Sequence, residues 1–290
     1  MLTFNEARHR YELDGKRIPS VTTVLGVINK PGLPYWAAKL VAEEAITHHS
    51  HWGARIDSGE HADSIIRDLK RTPWRQRDDA ANRGTRIHAV LEAAATGDPT
   101  ACPTDLMGMA TAAIDLLDRL DLQPIHTEAR LYSREHWYAG TADLIATIGG
   151  ETWLLDWKSS RSLHDTHIMQ LEAYAHAETI LDEEGDERPM PTIDRLGIIH
   201  LTDSSATLHD AGTPGGPGWA AFQAASTIHQ LQPHLRGLLK WQPNTSSPAT
   251  RSPTKPAADG RSAPSATTKT SHKARTSSSS KPATPPPVRP

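Results

Sequence analysis

The stretch that most constrains this chain is TADLIATIGGETWLLDWKSSRS, residues 141–162. Two apolar runs flank Gly149-Gly150, and glycine accepts the positive φ that a two-residue hairpin turn demands. With those glycines as the loop, Ile148 meets Glu151, and counting outward brings Asp143 opposite Asp156. Directly opposed residues carry Cβ atoms about 5 Å apart. Two ionised carboxylates that close repel each other unless something positive lies between them. A divalent cation with oxygen ligands is the natural occupant, and Mg²⁺ suits a site with few protein carboxylates and several waters. Lys158, two residues beyond Asp156, falls on the same strand face. Paired acids, a cation and an amine make a centre able to hydrolyse phosphodiesters. On spacing alone, the Asp156-x-Lys158 pattern is equally compatible with a salt bridge at a strand end.

Around this hairpin the pattern is helices first, strands next, helices last. LTFNEARHRYELDGKRIPSVTTVL reads as a short hairpin and then a helix with Ser20 as its N-cap. Helical periodicity follows over 33–47, again over 59–70, and over 74–97, where Gly84 is a possible interruption and Gly97 the expected stop. PTDLMGMATAAIDLLDRL is another amphipathic helix. From Pro124 onward the pattern switches to strands: IHTEARLYS, WYAGTADLIATI and TWLLDW. Residues 164–184 return to helical spacing, DRLGIIHLT and ATLHD read as strands, and 218–241 closes the body as a helix kinked at Pro233. This order predicts an α/β (α+β) domain with one central mixed sheet flanked by helices. The body, residues 1–242, divides into a helical part over about 20–120 and the sheet with its helices over about 121–242.

Composition removes several classes. No apolar run approaches the roughly 18 residues a bilayer span needs, and the N-terminus lacks the apolar segment of a signal peptide, so a cytoplasmic protein without a membrane is expected. Cys102 is the one cysteine in the sequence, which excludes an intrachain disulfide, a zinc ribbon and an iron–sulfur cluster held by four cysteines. Residues 243–290 hold eight basic side chains against Asp259 alone, a charge of +7, and leave 23 basic and 33 acidic residues, or −10, in the rest. Rich in Ser, Thr, Pro and Ala, this segment cannot bury enough surface to order itself and is expected to be a disordered tail. Its charge would add weak, salt-sensitive attraction to nucleic acid, or serve solubility alone.

The order GTAD, then DWK, then QLEAY resembles the PD-(D/E)XK nuclease superfamily, in its RecB-like and lambda-exonuclease-like branch, with phage-type exonucleases among its members. That branch carries an acid in a G-x-x-D strand, a (D/E)-x-K strand and a Q-x-x-x-Y helix. An upstream G-x-x-x-H helix is also typical, and GTRIHAVLE supplies Gly84 and His88. The resemblance covers roughly residues 10–205 and implies a restriction-endonuclease-like core. It implies His88, Asp143 and Asp156 as metal ligands, with the Trp157 carbonyl as a further one, and Mg²⁺ as the metal, Mn²⁺ substituting. Lys158 would be the catalytic lysine, and Gln170 and Tyr174, sharing a helix face, would brace the site or touch DNA. Glu92 would be a backup ligand. Glu128 in TEARL would be either an acid behind the ligands or, the preferred reading, an ordinary strand-face glutamate. Asp156 replaces the commoner Glu of the pattern.

DNA is the implied partner, together with a recombination or single-strand-binding protein; nothing in the sequence fixes an oligomeric state. The run IIRDLKRTPWRQRDDAANRGTR offers Arg71, Arg75 and Arg86 for phosphates and Trp74 for an unpaired base, with Ser159 and Arg161 beside the catalytic lysine. The same run also reads as a solvated helical face laced by Asp68, Asp78 and Asp79. The expectation is therefore a Mg²⁺-dependent deoxyribonuclease, an exonuclease of DNA recombination or repair, phage- or prophage-encoded in one reading. A structure-selective or restriction-like endonuclease is the alternative within the enzymes, and a non-catalytic DNA-binding module on the same fold is the alternative outside them.

Overall fold

Both glycines of the central turn adopt positive φ, 59° at Gly149 and 85° at Gly150, as a mirror-image two-residue hairpin turn requires. The structure, a computed structural model, describes residues 1–5, 8, 10–96, 102–182 and 184–239. The tail at 243–290 and the expected helix stop at Gly97 lie outside the described residues. Among those described, no helix is long and apolar enough to cross a membrane.

The chain opens with a three-stranded antiparallel meander, β1 (Leu2–Asn5), β2 (Arg10–Leu13) and β3 (Lys16–Ile18), where one hairpin was expected. A one-turn helix follows, α1 (Val21–Leu25), whose N-cap Ser20 accepts a hydrogen bond from the Thr23 N–H at 3.0 Å. Four helices come next: α2 (Gly32–Thr47), α3 (His49–Asp57), α4 (Ala62–Lys70) and α5 (Thr72–Thr96). The expected break at Gly84 does not occur. The stripe Ile87, Val90 and Leu91 buries the following turns of α5 against the sheet, and that packing offsets the roughly 1 kcal/mol a mid-helix glycine costs. A 3-10 turn at Thr104–Leu106 leads into α6 (Met107–Arg119).

Three long strands then form the heart of the sheet: β4 (Gln123–Ser133), β5 (Tyr138–Ile148) and β6 (Glu151–Lys158). After them come α7 (Asp165–Ala175), β7 (Thr179–Leu181), β8 (Glu187–Pro189), β9 (Arg195–Leu201), β10 (Ala206–Gly212) and α8 (Pro217–Leu238). The helix expected over 164–184 stops after one-half of that length. The His176 N–H and ring both turn back on the Glu172 carbonyl, and Thr179–Leu181 leaves as a strand that pairs Ile180 with Leu131. A free edge on β4 overrides local helical spacing here. In α8 the helix runs on through Pro233.

The seven strands lie in the order β10-β9-β6-β5-β4-β7-β8. Every neighbour pair is antiparallel except β6 and β9, which pair in parallel from Trp153↔Arg195 to Lys158↔His200. A parallel pair needs a crossover, and α7 lies on it. One sheet face packs against α1, α7 and α8 through residues such as Val24, Ile145, Leu154, Leu171 and Phe222. The other packs against α5 and α6 through Leu91, Met109, Leu144, Leu155 and Trp157. The α/β class and the helix-flanked mixed sheet expected from sequence are thus present.

Candidate active site

Asp156 and Lys158 alternate with Leu155 and Trp157, whose side chains enter the core toward α5 and α6. Their own side chains therefore look the other way, toward α7. Asp156 is 1% exposed. Its Oδ2 forms an ion pair with Lys158 Nζ, and its Oδ1 accepts from the Gln170 amide at 3.1 Å. The same amide nitrogen donates to Tyr174 Oη at 3.0 Å. Gln170 and Tyr174, one turn apart on α7, act on Asp156 as one unit.

Gly140 explains why a glycine precedes the aspartate of β5 by three residues. A Cβ at that position would collide with the Tyr174 ring. Further along the chain, Tyr11 Oη meets Thr141 Oγ1 at 2.7 Å, and the Ala139 N–H donates to the Pro19 carbonyl at 3.0 Å. The N-terminal meander and α1 are thereby fixed to the strand that carries Asp143.

The hairpin register is the one counted from the glycines, with Ile148↔Glu151 and Leu144↔Leu155 as its outer limits. Asp143 and Asp156 are the next positions, where the ladder opens. Pairing between β4 and β5 also skips one step, from Thr127↔Leu144 to Ala129↔Ala142, which leaves Glu128 level with Asp143. Glu128 has φ 45°, a left-handed conformation uncommon for a side chain with a Cβ. Ala142 and Ile145 both enter the core under α7, so the in-and-out alternation of β5 changes phase between them. Three acids from three neighbouring strands stand in a row at this irregularity. Freed from regular pairing, Asp143 Oδ2 accepts from the Trp157 N–H at 2.8 Å.

His88 reaches the row from α5. Its Nδ1 lies 3.6 Å from Asp143 Oδ1 and 3.7 Å from Glu128 Oε1, ion-pair contacts too long for hydrogen bonds. Ligand atoms of His88, Glu128 and Asp143 all lie within 4.8 Å of one another, the spacing of groups able to hold one metal ion. His88 and Glu128 line a cavity of about 490 Å³ with Gly84, Thr85 and Glu92.

Charge in the row is unbalanced. Burial, and then the Asp156 carboxylate, push Asp143 up to about 7 in spite of His88, Lys158 and the Trp157 N–H. Burial opposes an imidazolium at His88, but the Glu128 and Asp143 carboxylates outweigh it and raise His88 above its usual value. Burial and Glu128 raise Glu92. Burial, and then Asp156 and Asp143, raise the Tyr174 hydroxyl far beyond its ordinary range. A buried carboxyl that resists ionisation among acids marks a place where added positive charge is stabilised. Two carboxylates and one imidazole form a mainly oxygen donor set, which fits Mg²⁺ or Mn²⁺.

The structure brings His88, Asp143, Asp156, Lys158, Gln170 and Tyr174 together around one point. It adds Glu128, which sequence reasoning placed among ordinary strand-face residues; the signal was its position level with Asp143, visible only once the β4 register is known. Trp157 contributes its N–H to Asp143, while its ring lies in the core. The candidates for DNA contact are arranged differently. Arg71 caps α4 and pairs with Asp68 at 3.7 Å, Arg75 donates to Thr72 at 3.1 Å, and the Arg77 guanidinium sits 4.7 Å above the exposed Trp74 ring. Arg86 is bound in two-pronged fashion by Asp105, at 2.6 and 3.0 Å. Ser159 is half-buried and Arg161 exposed on the loop after Lys158.

No family model matches the chain, and no curated protein matches it. A solved structure described as "Crystal structure of SSO0001" is 14% identical over 73% of this chain and 82% of that one, with a TM-score of 0.28. A similarity at that level carries no argument about fold or function.

Proposed function

We propose that this protein is a divalent-metal-dependent DNA nuclease of the PD-(D/E)XK type that hydrolyses phosphodiester bonds. One observation carries the reading: Glu128, Asp143 and Asp156 stand level on three adjacent strands, with His88 over one side of the row and Lys158 on the other. A salt bridge alone, the bland reading of Asp156-x-Lys158, accounts for neither His88 nor the phase change at Asp143. His88, Glu128 and Asp143 would hold the metal with Asp156 beside them, and the chemistry it would supply is Lewis-acid polarisation of the phosphodiester.

The chain's own groups divide the remaining work. Lys158 Nζ, held by Asp156, presents a cation whose protons can orient an attacking water and neutralise charge growing on a phosphoryl oxygen. Gln170 fixes the Asp156 carboxylate so that Lys158 keeps one direction, and Tyr174 fixes Gln170. Exonuclease action in recombination or repair is the subtype we favour, on the motif resemblance.

Incubation with linear and closed circular DNA, with and without Mg²⁺, tests this reading. Metal-dependent loss of the linear form alone gives an exonuclease, and nicked circles give an endonuclease. Binding without cutting of either substrate, unchanged in Lys158→Ala, gives a non-catalytic module and ends the proposal.

A further inference from the structure

On the Lys158 side of Asp156 a second cavity opens, away from His88. It has a volume of about 210 Å³, and Lys30, Lys158, His167, Gln170 and Thr22 are among its walls. Lys30 belongs to the loop before α2, His167 to the first turn of α7. The His167 Nδ1 accepts from the His164 N–H at 3.3 Å, which leaves Nε2 as the protonated, donating nitrogen of the neutral ring. Burial, and then the charges of Lys158, His164, Lys30 and His200, lower His167 to about 4. The cavity is thus a concentration of positive potential with amine, imidazole, amide and hydroxyl donors. Such a set recognises a phosphate.

Lys30 and Thr166 are shared with a larger cleft of about 590 Å³ whose wall includes Ile28, Pro31, Leu33 and Trp36. The two spaces therefore adjoin at these residues. Trp36 is 39% exposed and Leu33 51% exposed, although both are large and apolar. Asp165, also on the wall, is the acid among these residues. An aromatic face beside a phosphate-sized basic pocket has the composition of a site for one unpaired nucleotide, base on the tryptophan and phosphate on the amines. A base in a continuous duplex is stacked and paired and cannot enter.

We propose that the Lys30–His167 cavity and the Trp36 cleft together bind one unpaired nucleotide next to the scissile phosphate, so that the substrate is DNA with a single-stranded end. This rests on the nuclease reading of the adjoining Asp156–Lys158 centre. It differs from the contact surface expected from sequence, because Trp74 lies on α5 whereas Trp36 shares its cleft with residues of α7.

Binding and cutting separate the two claims. The full chain is titrated in EDTA against a fluorescent single strand, a duplex with a single-stranded overhang and a blunt duplex, and cleavage of each is then followed with Mg²⁺. Wild-type protein should bind the single strand and the overhang better than the blunt duplex. Trp36→Ala and Lys30→Ala should each weaken those two about tenfold, with Trp36→Phe restoring most of the loss and the blunt duplex unaffected. Cleavage by wild type, with single-strand affinity unchanged in both variants, overturns the subsite and leaves the nuclease reading standing. No cleavage, with single-strand binding lost in the variants, keeps the subsite and removes the nuclease. Equal wild-type affinity for blunt and overhanging ends also overturns the subsite.

Discussion

The central sheet and the helices α2 to α4 are built on opposite terms. In β5 seven of eleven residues are buried, in β6 the whole run from Trp153 to Trp157 is, and the register is fixed by a glycine turn and two helical layers. In α2 no residue is buried, although the helix spans sixteen residues. Its neighbours α3 and α4 each bury one large side chain, Trp52 and Ile65. Arg55 of α3 ties that pair together through Glu60 and Asp68, the latter at 2.8 Å. Between α2 and α5 lies a space of about 440 Å³ lined by groups such as Glu43, Glu44, Arg75 and Asp79. The strands that carry the acids are packed on both faces; α2 to α4 bury few side chains and leave Trp36 accessible.

Asp143→Asn is the largest expected effect and attacks the sheet side of the comparison. Metal-dependent cleavage should fall to background in a strand-break assay. The same variant reports on the charge imbalance. With Asp143 raised to about 7, the folded protein binds a proton that the unfolded chain releases near pH 4, so metal-free stability falls as pH rises between those values. The raised His88 acts in the same sense, since its contribution is complete below about 6.5 and is lost above its folded value. Thermal unfolding of the metal-free protein should therefore show a lower midpoint at pH 8 than at pH 5.5, and Asp143→Asn should flatten that slope. Mg²⁺ should raise the midpoint at pH 8 in wild type and much less in the variant. A flat wild-type profile, or equal Mg²⁺ responses, would remove the cation site.

Leu154→Ala comes second. Leu154 is fully buried beside Ile145 and Phe222, and deletion of such a side chain costs about 2–5 kcal/mol. Chemical denaturation with an unchanged m-value is the measure, and a loss below about 1 kcal/mol would mean the sheet can collapse around the gap.

What the sequence disclosed follows the same division. The hairpin register could be counted because two glycines fix a loop of known length, and that count set Asp143 level with Asp156. Alternation put Lys158 on the face of Asp156, while the phase change that turns Asp143 toward His88 has no local signal. His88, Gln170 and Tyr174 followed from motif order. Glu128 was hidden because its meaning depends on where β4 pairs and on a left-handed backbone at one residue, neither of which has a local signal. The edge strand at Thr179–Leu181 was hidden for a related reason: a three-residue strand exists only because β4 offers an edge. The Lys30 and Trp36 surfaces were out of reach, since a loop, a sparsely packed helix and the start of α7 meet only in three dimensions.

Gly140→Ala sharpens the comparison within the sheet. The added methyl meets the Tyr174 ring, and overpacking of this sort costs about 1–3 kcal/mol. Displacing Tyr174 also removes the acceptor of one Gln170 hydrogen bond, so cleavage should drop further than stability alone explains. Gly140→Ala paired with Tyr174→Leu, which vacates the ring edge, should recover stability but not cleavage. Recovery of both would reduce Tyr174 to a packing residue.

The smallest effects are expected in the helical part, and they decide whether the comparison is real. Ile46 in α2 is 73% exposed and Ile56 in α3 is 62% exposed. Each replacement by alanine removes methyl groups that already face water, so each should change unfolding free energy by no more than about 0.5 kcal/mol. Alanine is also the stronger helix former, which favours the variants by a few tenths. Amide hydrogen exchange should show the same contrast without mutation, with faster exchange along α2 than along β5 and β6. If Ile46→Ala instead costs as much as Leu154→Ala, α2 is covered by something in solution, a second copy of the chain being the simplest cover. Sedimentation of the wild type at two concentrations would then show a species heavier than 31.7 kDa.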